Sequence, residues 1–232
     1  MDKIGIIVAM DVELSFLLEA LESPVKAVIS GMDFYEGEIR GNSVVIARSG
    51  IGKVCAAICA QTMIREFMPG CIIVGGIAGA IQNLPHGSVV IGDKLVQHDF
   101  ILNAFGYEDG FLPALKKCYM ESDPGLAEAL IQAAMSLDLC VYRGIIASGD
   151  CFVNTQEKKD YILNTYHAAA CEMEGAAIAQ VCEMNRLPYS VIRCISDSGD
   201  EQANEDIESN EMMASSGSAS VILKYLEGLN ND

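Results

Sequence analysis

Basic residues are scarce in this chain. Only 15 lysines and arginines stand against 32 aspartates and glutamates in 232 residues, a formal net charge of −17. That balance favours solubility and argues against nucleic acid or an anionic membrane as partner. Histidine is scarcer still: His86, His98 and His167 lie far apart, and neither His-Glu-x-x-His nor zinc-ribbon spacing occurs, so no metal is expected. Nine cysteines are present, but none in a Cys-x-x-Cys pair, and most sit in apolar surroundings such as "VCAAICA" and "AACEME". They read as reduced, mostly buried thiols of a cytoplasmic protein. Long apolar runs are missing too. "CIIVGGIAGAI" is too short and Gly-rich to span a bilayer. "MDKIGIIVAMDVEL" lacks a basic leader and its apolar run stops at Asp11, so it reads as a first strand and not a signal peptide. Two phosphate-binding fingerprints also fail. "SGIGKV" has Ala47 where a P-loop needs glycine and Val54 where it needs a hydroxyl, and no Gly-x-Gly-x-x-Gly follows the first strand.

What is present is apolar and ordered. Half of the residues are hydrophobic and one fifth charged, which suits one domain over residues 1–232 with a sizeable core. Short β-rich runs alternate with helical patterns. "IGIIVA", "SVVIARS", "CIIVGG", "SVVIGDKLVQHD", "YRGIIASGD" and "YSVIRCISD" read as strands. "VELSFLLEALE", "KVCAAICAQTMIREFM", "PGLAEALIQAAMSL", "CEMEGAAIAQVCEMNR" and "ASVILKYLEGL" read as helices. The alternation predicts an α/β fold, a mostly parallel sheet with helices on both faces. Residues 98–122 form the longest irregular stretch; carrying Phe105, Tyr107, Phe111 and Pro113, they suggest a functional loop.

Ligands of open α/β sheets sit beyond the carboxyl ends of the strands. There this chain places Met10, Asp11 and Glu13; Ser49, Gly50 and Ile51; "GGIAGA"; Ser148, Gly149, Asp150, Phe152 and Asn154; Glu172 and Glu174; and Ser196 and Asp197. Each has an ordinary explanation alone. Glu13 favours a helix dipole, Asp197 suits a turn, Glu172 or Glu174 could cap a helix, and Phe152 could be core. Together they make a carboxylate-rich rim with no lysine cluster, suited to acid–base work on a neutral polyhydroxylated ligand and unsuited to phosphate.

The fragments "KIGIIVAMDVEL", "SGIGKVCAA", "HDFILNAFGYEDGFLPA", "GIIASGDCFVN", "CEMEGAAIAQVC" and "VIRCISDSGD", in this order, resemble the 5′-methylthioadenosine/S-adenosylhomocysteine nucleosidases of the nucleoside phosphorylase superfamily. The resemblance implies a three-layer α/β/α sandwich around a twisted mixed sheet, a homodimer, and cleavage of the bond between adenine and a 5′-thioribose without metal or cofactor. It implies that Asp197 protonates adenine N7 and that Glu13 deprotonates the attacking water, with Arg193 nearby. Glu174 would hold the ribose hydroxyls and Met173 pack on the sugar. Phe152 would stack on adenine, and the Val153 backbone meet its edge. Met10 and Ile51 would line the 5′-thio pocket, while Phe105, Tyr107 and Pro113 would come from the partner subunit. Ala78, Glu172 and Ser196 complete the substrate-binding set. Two positions depart from the family: Ile77 stands where a serine is usual, near ribose and water, and Ile207 where an aromatic is common near the 5′ pocket.

The chemistry stands without the family. Adenine leaves poorly as an anion, so an acid must protonate it. Water then attacks an oxocarbenium-like sugar from the other face with help from a base. Competing readings are a futalosine-type nucleosidase, a purine nucleoside phosphorylase, and a non-catalytic nucleoside-binding protein.

Overall fold

The computed structural model describes residues 3–230. In chain order its elements are β1 (Ile4–Val8), α1 (Asp11–Glu19), β2 (Glu22–Ile29), β3 (Met32–Ile39), β4 (Asn42–Arg48), α2 (Lys53–Phe67), β5 (Cys71–Val74), β6 (Ile77–Ala80) and β7 (Val89–Gln97). They continue with β8 (Met120–Glu121), α3 (Pro124–Met135), β9 (Val141–Ser148), α4 (Gln156–Tyr166), β10 (Ala170–Glu172), α5 (Gly175–Asn185), β11 (Tyr189–Asp197) and α6 (Ala203–Gly228).

The strands form one mixed sheet in the order β2-β3-β4-β1-β5-β11-β6-β10-β9-β7-β8. Parallel pairings run through its middle, from β4 through β1 and β5 to β11 and β6. β2–β3 and β3–β4 are antiparallel at one end. β11 also pairs antiparallel with β7, so β11, β6, β10, β9 and β7 close into a ring. The sheet lies between two helical layers, each with its own core. Cys59, Met63, Ala176 and Ile178 of α2 and α5 pack with Val74, Val191 and Ile195 on one face. Leu14, Leu17, Leu130 and Ile222 of α1, α3 and α6 pack with Ile6, Ile73 and Ile192 on the other.

All nine residues of β11 are buried. This strand is the hub, and its pairing with β6 carries a register shift between Ile195 and Asp197. Gly217 lets α6 approach closely: a Cβ there would lie 3.0 Å from Cys194 Sγ.

Three sequence expectations are revised. "CEMEG" does not open a helix: Ala170–Glu172 is a strand and α5 starts at Gly175. The last helix begins at Ala203, well before "ASVILKYLEGL". The hairpin β2–β3 and helix α4 join the elements read from sequence. Residues 98–122 do form a long excursion, holding one 3-10 turn, one isolated bridge and the short β8. Among the described residues, no helix is long and apolar enough to cross a membrane.

Candidate active site

A cavity opens at the carboxyl ends of β1, β10 and β11 and along the first residues of β6. It brings together Met10, Glu13, Ile51, Ile77, Ala78 and Phe152 with Glu172, Met173, Glu174, Arg193, Ser196 and Asp197. Val153 is buried and lines a smaller recess beside it, shared with Phe152, Met173 and Asp197. Phe105, Tyr107 and Pro113 do not reach this cavity; all three are exposed, Phe105 to 78%.

One end of the cavity is an ion cluster. Glu13 is in the first turn of α1, and its Oε2 accepts the Ala9 and Met10 amides at 2.9 Å each. Its Oε1 accepts the Ile77 amide at 3.0 Å. The helix-start reading of Glu13 therefore holds, but its third donor comes from β6. Burial raises the Glu13 pKa, against Arg193 and the three amides, which favour the anion. Gly76 permits this crowding: a Cβ there would lie 2.1 Å from Arg193 Nη1 and 2.6 Å from Glu13 Oε1.

Arg193 lies inside β11 and is 1% exposed. Its Nη2 donates to Glu172 and, at 3.5 Å, to Glu174. Glu172 is fully committed. Its Oε1 accepts from Ser148, and its Oε2 from Arg193 and from the amides of Glu174 and Gly175 at 3.1 and 2.7 Å. It thus ties the start of α5 to β11. Glu174 Oε1 accepts the Gly52 amide at 2.9 Å. Burial first, and the adjacent Glu172 charge second, push Glu174 up to about 7.

At the other end, no basic side chain among the described residues lines the cavity. Asp197 is 2% exposed. Its Oδ2 accepts from Ser196 Oγ at 2.8 Å and its Oδ1 from the Gly199 amide at 2.9 Å. Burial raises its pKa against those two bonds. Gly79 lets β6 pass close by, since a Cβ there would lie 2.6 Å from Asp197 Oδ1. Phe152, 36% exposed, stands at the same end.

The arrangement offers buried carboxyl groups of raised pKa at both ends, Asp197 at one and Glu13 and Glu174 at the other. Among the described residues lining the cavity, Arg193 is the one basic side chain, and two glutamates hold it.

The phosphorylase superfamily model matches residues 3–227. A relative from Shewanella loihica, a 5′-methylthioadenosine/S-adenosylhomocysteine nucleosidase, is 36% identical over 230 residues, covering 98% of this chain and all of the relative. The chain belongs to this nucleosidase family. Its fold is similar to the Neisseria meningitidis nucleosidase in complex with methylthio-immucillin-A, with TM-score 0.95, 36% identity, and 98% and 100% of the two chains covered. It is also similar to the native futalosine hydrolase of Helicobacter pylori, with TM-score 0.94, 31% identity, and 98% of each chain covered.

For this nucleosidase, sequence reasoning left four cavity residues out of the substrate-binding set: Ala9, Gly79, Cys171 and Ile207. Ile207 drew attention only as a departure from the family. Gly79 had a signal, the glycine-rich turn after β5. Cys171 had none, because its segment reads as helix.

Proposed function

We propose that the protein hydrolyses the N-glycosidic bond of 5′-methylthioadenosine, S-adenosylhomocysteine or both, releasing adenine and the 5′-thioribose. One observation carries this reading: the cavity holds at one end a buried carboxyl group with no basic side chain among the described lining residues beside it, and at the other an amide-solvated one. Asp197 supplies the proton that adenine N7 takes as the C–N9 bond breaks. Glu174 binds the ribose hydroxyls and steadies the positive charge on the sugar. Glu13 takes the proton of the water that adds to the anomeric carbon. Phe152 and the Val153 backbone hold the base, Met173 the sugar, and Met10, Ile51 and Ile207 the 5′ group. Glu172 serves the site by holding Arg193 and the start of α5. A phosphorylase would need free cations beside the ribose, and Arg193 is already paired.

A second reading, hydrolysis of a futalosine-type nucleoside, draws on the similarity to the Helicobacter pylori enzyme. It uses the same acid and base with a different 5′ pocket. We further propose a cytoplasmic homodimer working in methionine salvage. Ile51, Val54 and Ile58 present an exposed apolar face at 59, 69 and 43%, and Phe105 projects from the long loop. Phe105, Tyr107 and Pro113 then close the neighbour's 5′ pocket.

The test is free adenine release from 5′-methylthioadenosine, with and without phosphate, beside a futalosine-type substrate. Phosphate-independent release from methylthioadenosine is expected. Strict phosphate dependence, or release only from the futalosine-type compound, would overturn the first reading. A monomer by sedimentation at working concentration would sink the dimer.

A further inference from the structure

The lysine of "SGIGKV", a stretch that does not fit the P-loop pattern, is bound by side chains of this chain, Asp99 and Gln97. Lys53 begins α2, and its neighbour Gly52, the residue before the helix, has no side chain to cap the first turn. Open amides of a first turn need acceptors, and two distant carboxylates supply them here. The Gly52 amide donates to Glu174 Oε1 at 2.9 Å. The next amide, Lys53, donates to Asp150 Oδ1 at 2.7 Å. Gly52 has φ +99, and a Cβ there would lie 3.1 Å from Asp150 Oδ1.

Only the first of these acceptors lines the cavity; the second lies outside it, at the head of a loop that reaches it. Glu174 is at the sugar end, whereas Asp150 opens the loop that carries Phe152 and Val153. Asp150 is itself braced. Its amide donates to Asp99 Oδ2 at 2.8 Å, and Asp99 Oδ1 takes Lys53 Nζ at 2.6 Å. The bonds close a ring through Lys53, Asp99 and Asp150. Lys53 Nζ also reaches Gln97 Oε1 at 3.1 Å. Burial works to raise the Asp99 pKa, yet Lys53 and the Asp150 amide hold its carboxyl below the usual range. The loop is pinned from behind as well: a Cβ on Gly149 would lie 2.3 Å from Nε2 of the buried His98 ring.

We propose that Asp150 is a positioning residue: by capping α2 from the base-side loop, it ties the Phe152 platform to the sugar carboxylate Glu174. Adjacent amides of one helix end hold both carboxylates, so neither half of the site shifts alone. Base and sugar are then recognised together. The inference rests on the adenine-nucleoside reading above.

The experiment uses the full chain carrying Asp197→Asn, so that ligand binds without turnover. Dissociation constants are measured for 5′-methylthioadenosine and its 2′,3′-dideoxy counterpart, and their ratio gives the hydroxyl penalty. Adding Asp150→Ala should lower that penalty about fivefold, the scale of losing one helix cap. Asp150→Asn, which still offers an acceptor oxygen, should restore it. Lys53→Pro removes the same bond from the helix side together with the Lys53 Nζ bonds to Asp99 and Gln97, is tolerated at a first helical position, and should lower the penalty at least as much as Asp150→Ala does. A penalty unchanged in Asp150→Ala and Lys53→Pro, with both ligands weakened equally, marks a merely structural loop and overturns the inference. A parent that binds neither ligand overturns the nucleoside reading as well.

Discussion

The two ends of the cavity push on their carboxyl groups in the same direction but surround them differently. Burial raises both Asp197 and Glu13. Asp197 is answered by one hydroxyl and one amide. Glu13 is answered by three amides and the Arg193 charge. A group with few donors keeps its proton more readily, whereas one wrapped in donors gives it up and acts as a base. On the roles proposed above, the division of acid and base follows the number of N–H groups aimed at each carboxyl.

Removing the acid should cost most. Asp197→Asn is expected to lower kcat by about 10³ while leaving nucleoside binding near normal, because proton donation acts in the transition state. Single-turnover adenine release beside equilibrium binding checks this. Near-normal turnover would erase the contrast between the two ends. Glu13→Gln should cost somewhat less, about 10², because an oxocarbenium-like sugar needs less help from its nucleophile than the leaving base needs from its acid. The pH profile adds the sign. Activity falls at low pH as Glu13 takes up its proton, with the limb above the ordinary carboxylate range because its pKa is raised. It falls at high pH as Asp197 loses its proton. Glu13→Gln should flatten the acid limb and spare the alkaline one; the opposite outcome would exchange the two roles.

Stability gives a smaller effect. Glu174 moves from 4.5 to about 7 on folding. Its contribution is fully present below pH 4.5 and is lost as pH rises through about 7, where the folded chain must hold a buried charge. Glu174→Gln should therefore make Tm less sensitive to pH between 5 and 8, by a few degrees, since each kcal/mol is about 2–4 °C in a domain of this size. Parallel Tm-against-pH curves for the two proteins would count against it.

Much of this contrast was legible in the sequence, and its limits have physical causes. β11 announces itself as an apolar run broken by Ser196 and Asp197, so the acid was visible as a carboxylate on a buried strand. The amides that solvate Glu13 were less visible: the Ile77 N–H comes from 64 residues away. The start of α6 was hidden because Ala203 is its one buried residue before Ala214, leaving no apolar stripe to read. Helix α4 has the same cause, with only Ile162 and Tyr166 buried. β10 was absorbed into a helix because three residues are too few to show a period of two and the alanine-rich α5 follows closely.

The finest test sits beside Glu13. Ile77 donates its amide to Glu13 while its side chain faces the cavity, and on β6 it pairs with Cys194 of β11. The amide belongs to the backbone, so Ile77→Ser keeps the bond and exchanges an apolar wall for a hydroxyl. A more polar wall lessens the desolvation that is the largest influence on Glu13. The acid limb of kcat/KM should then shift to lower pH by a fraction of a unit. The plateau should change only a few-fold, the scale of trading about one buried methylene or two. The alkaline limb, set by Asp197 at the far end, should stay in place. Both limbs moving together would mean that the two carboxyl groups titrate as one system, and the division between a proton-holding end and a proton-taking end would not survive.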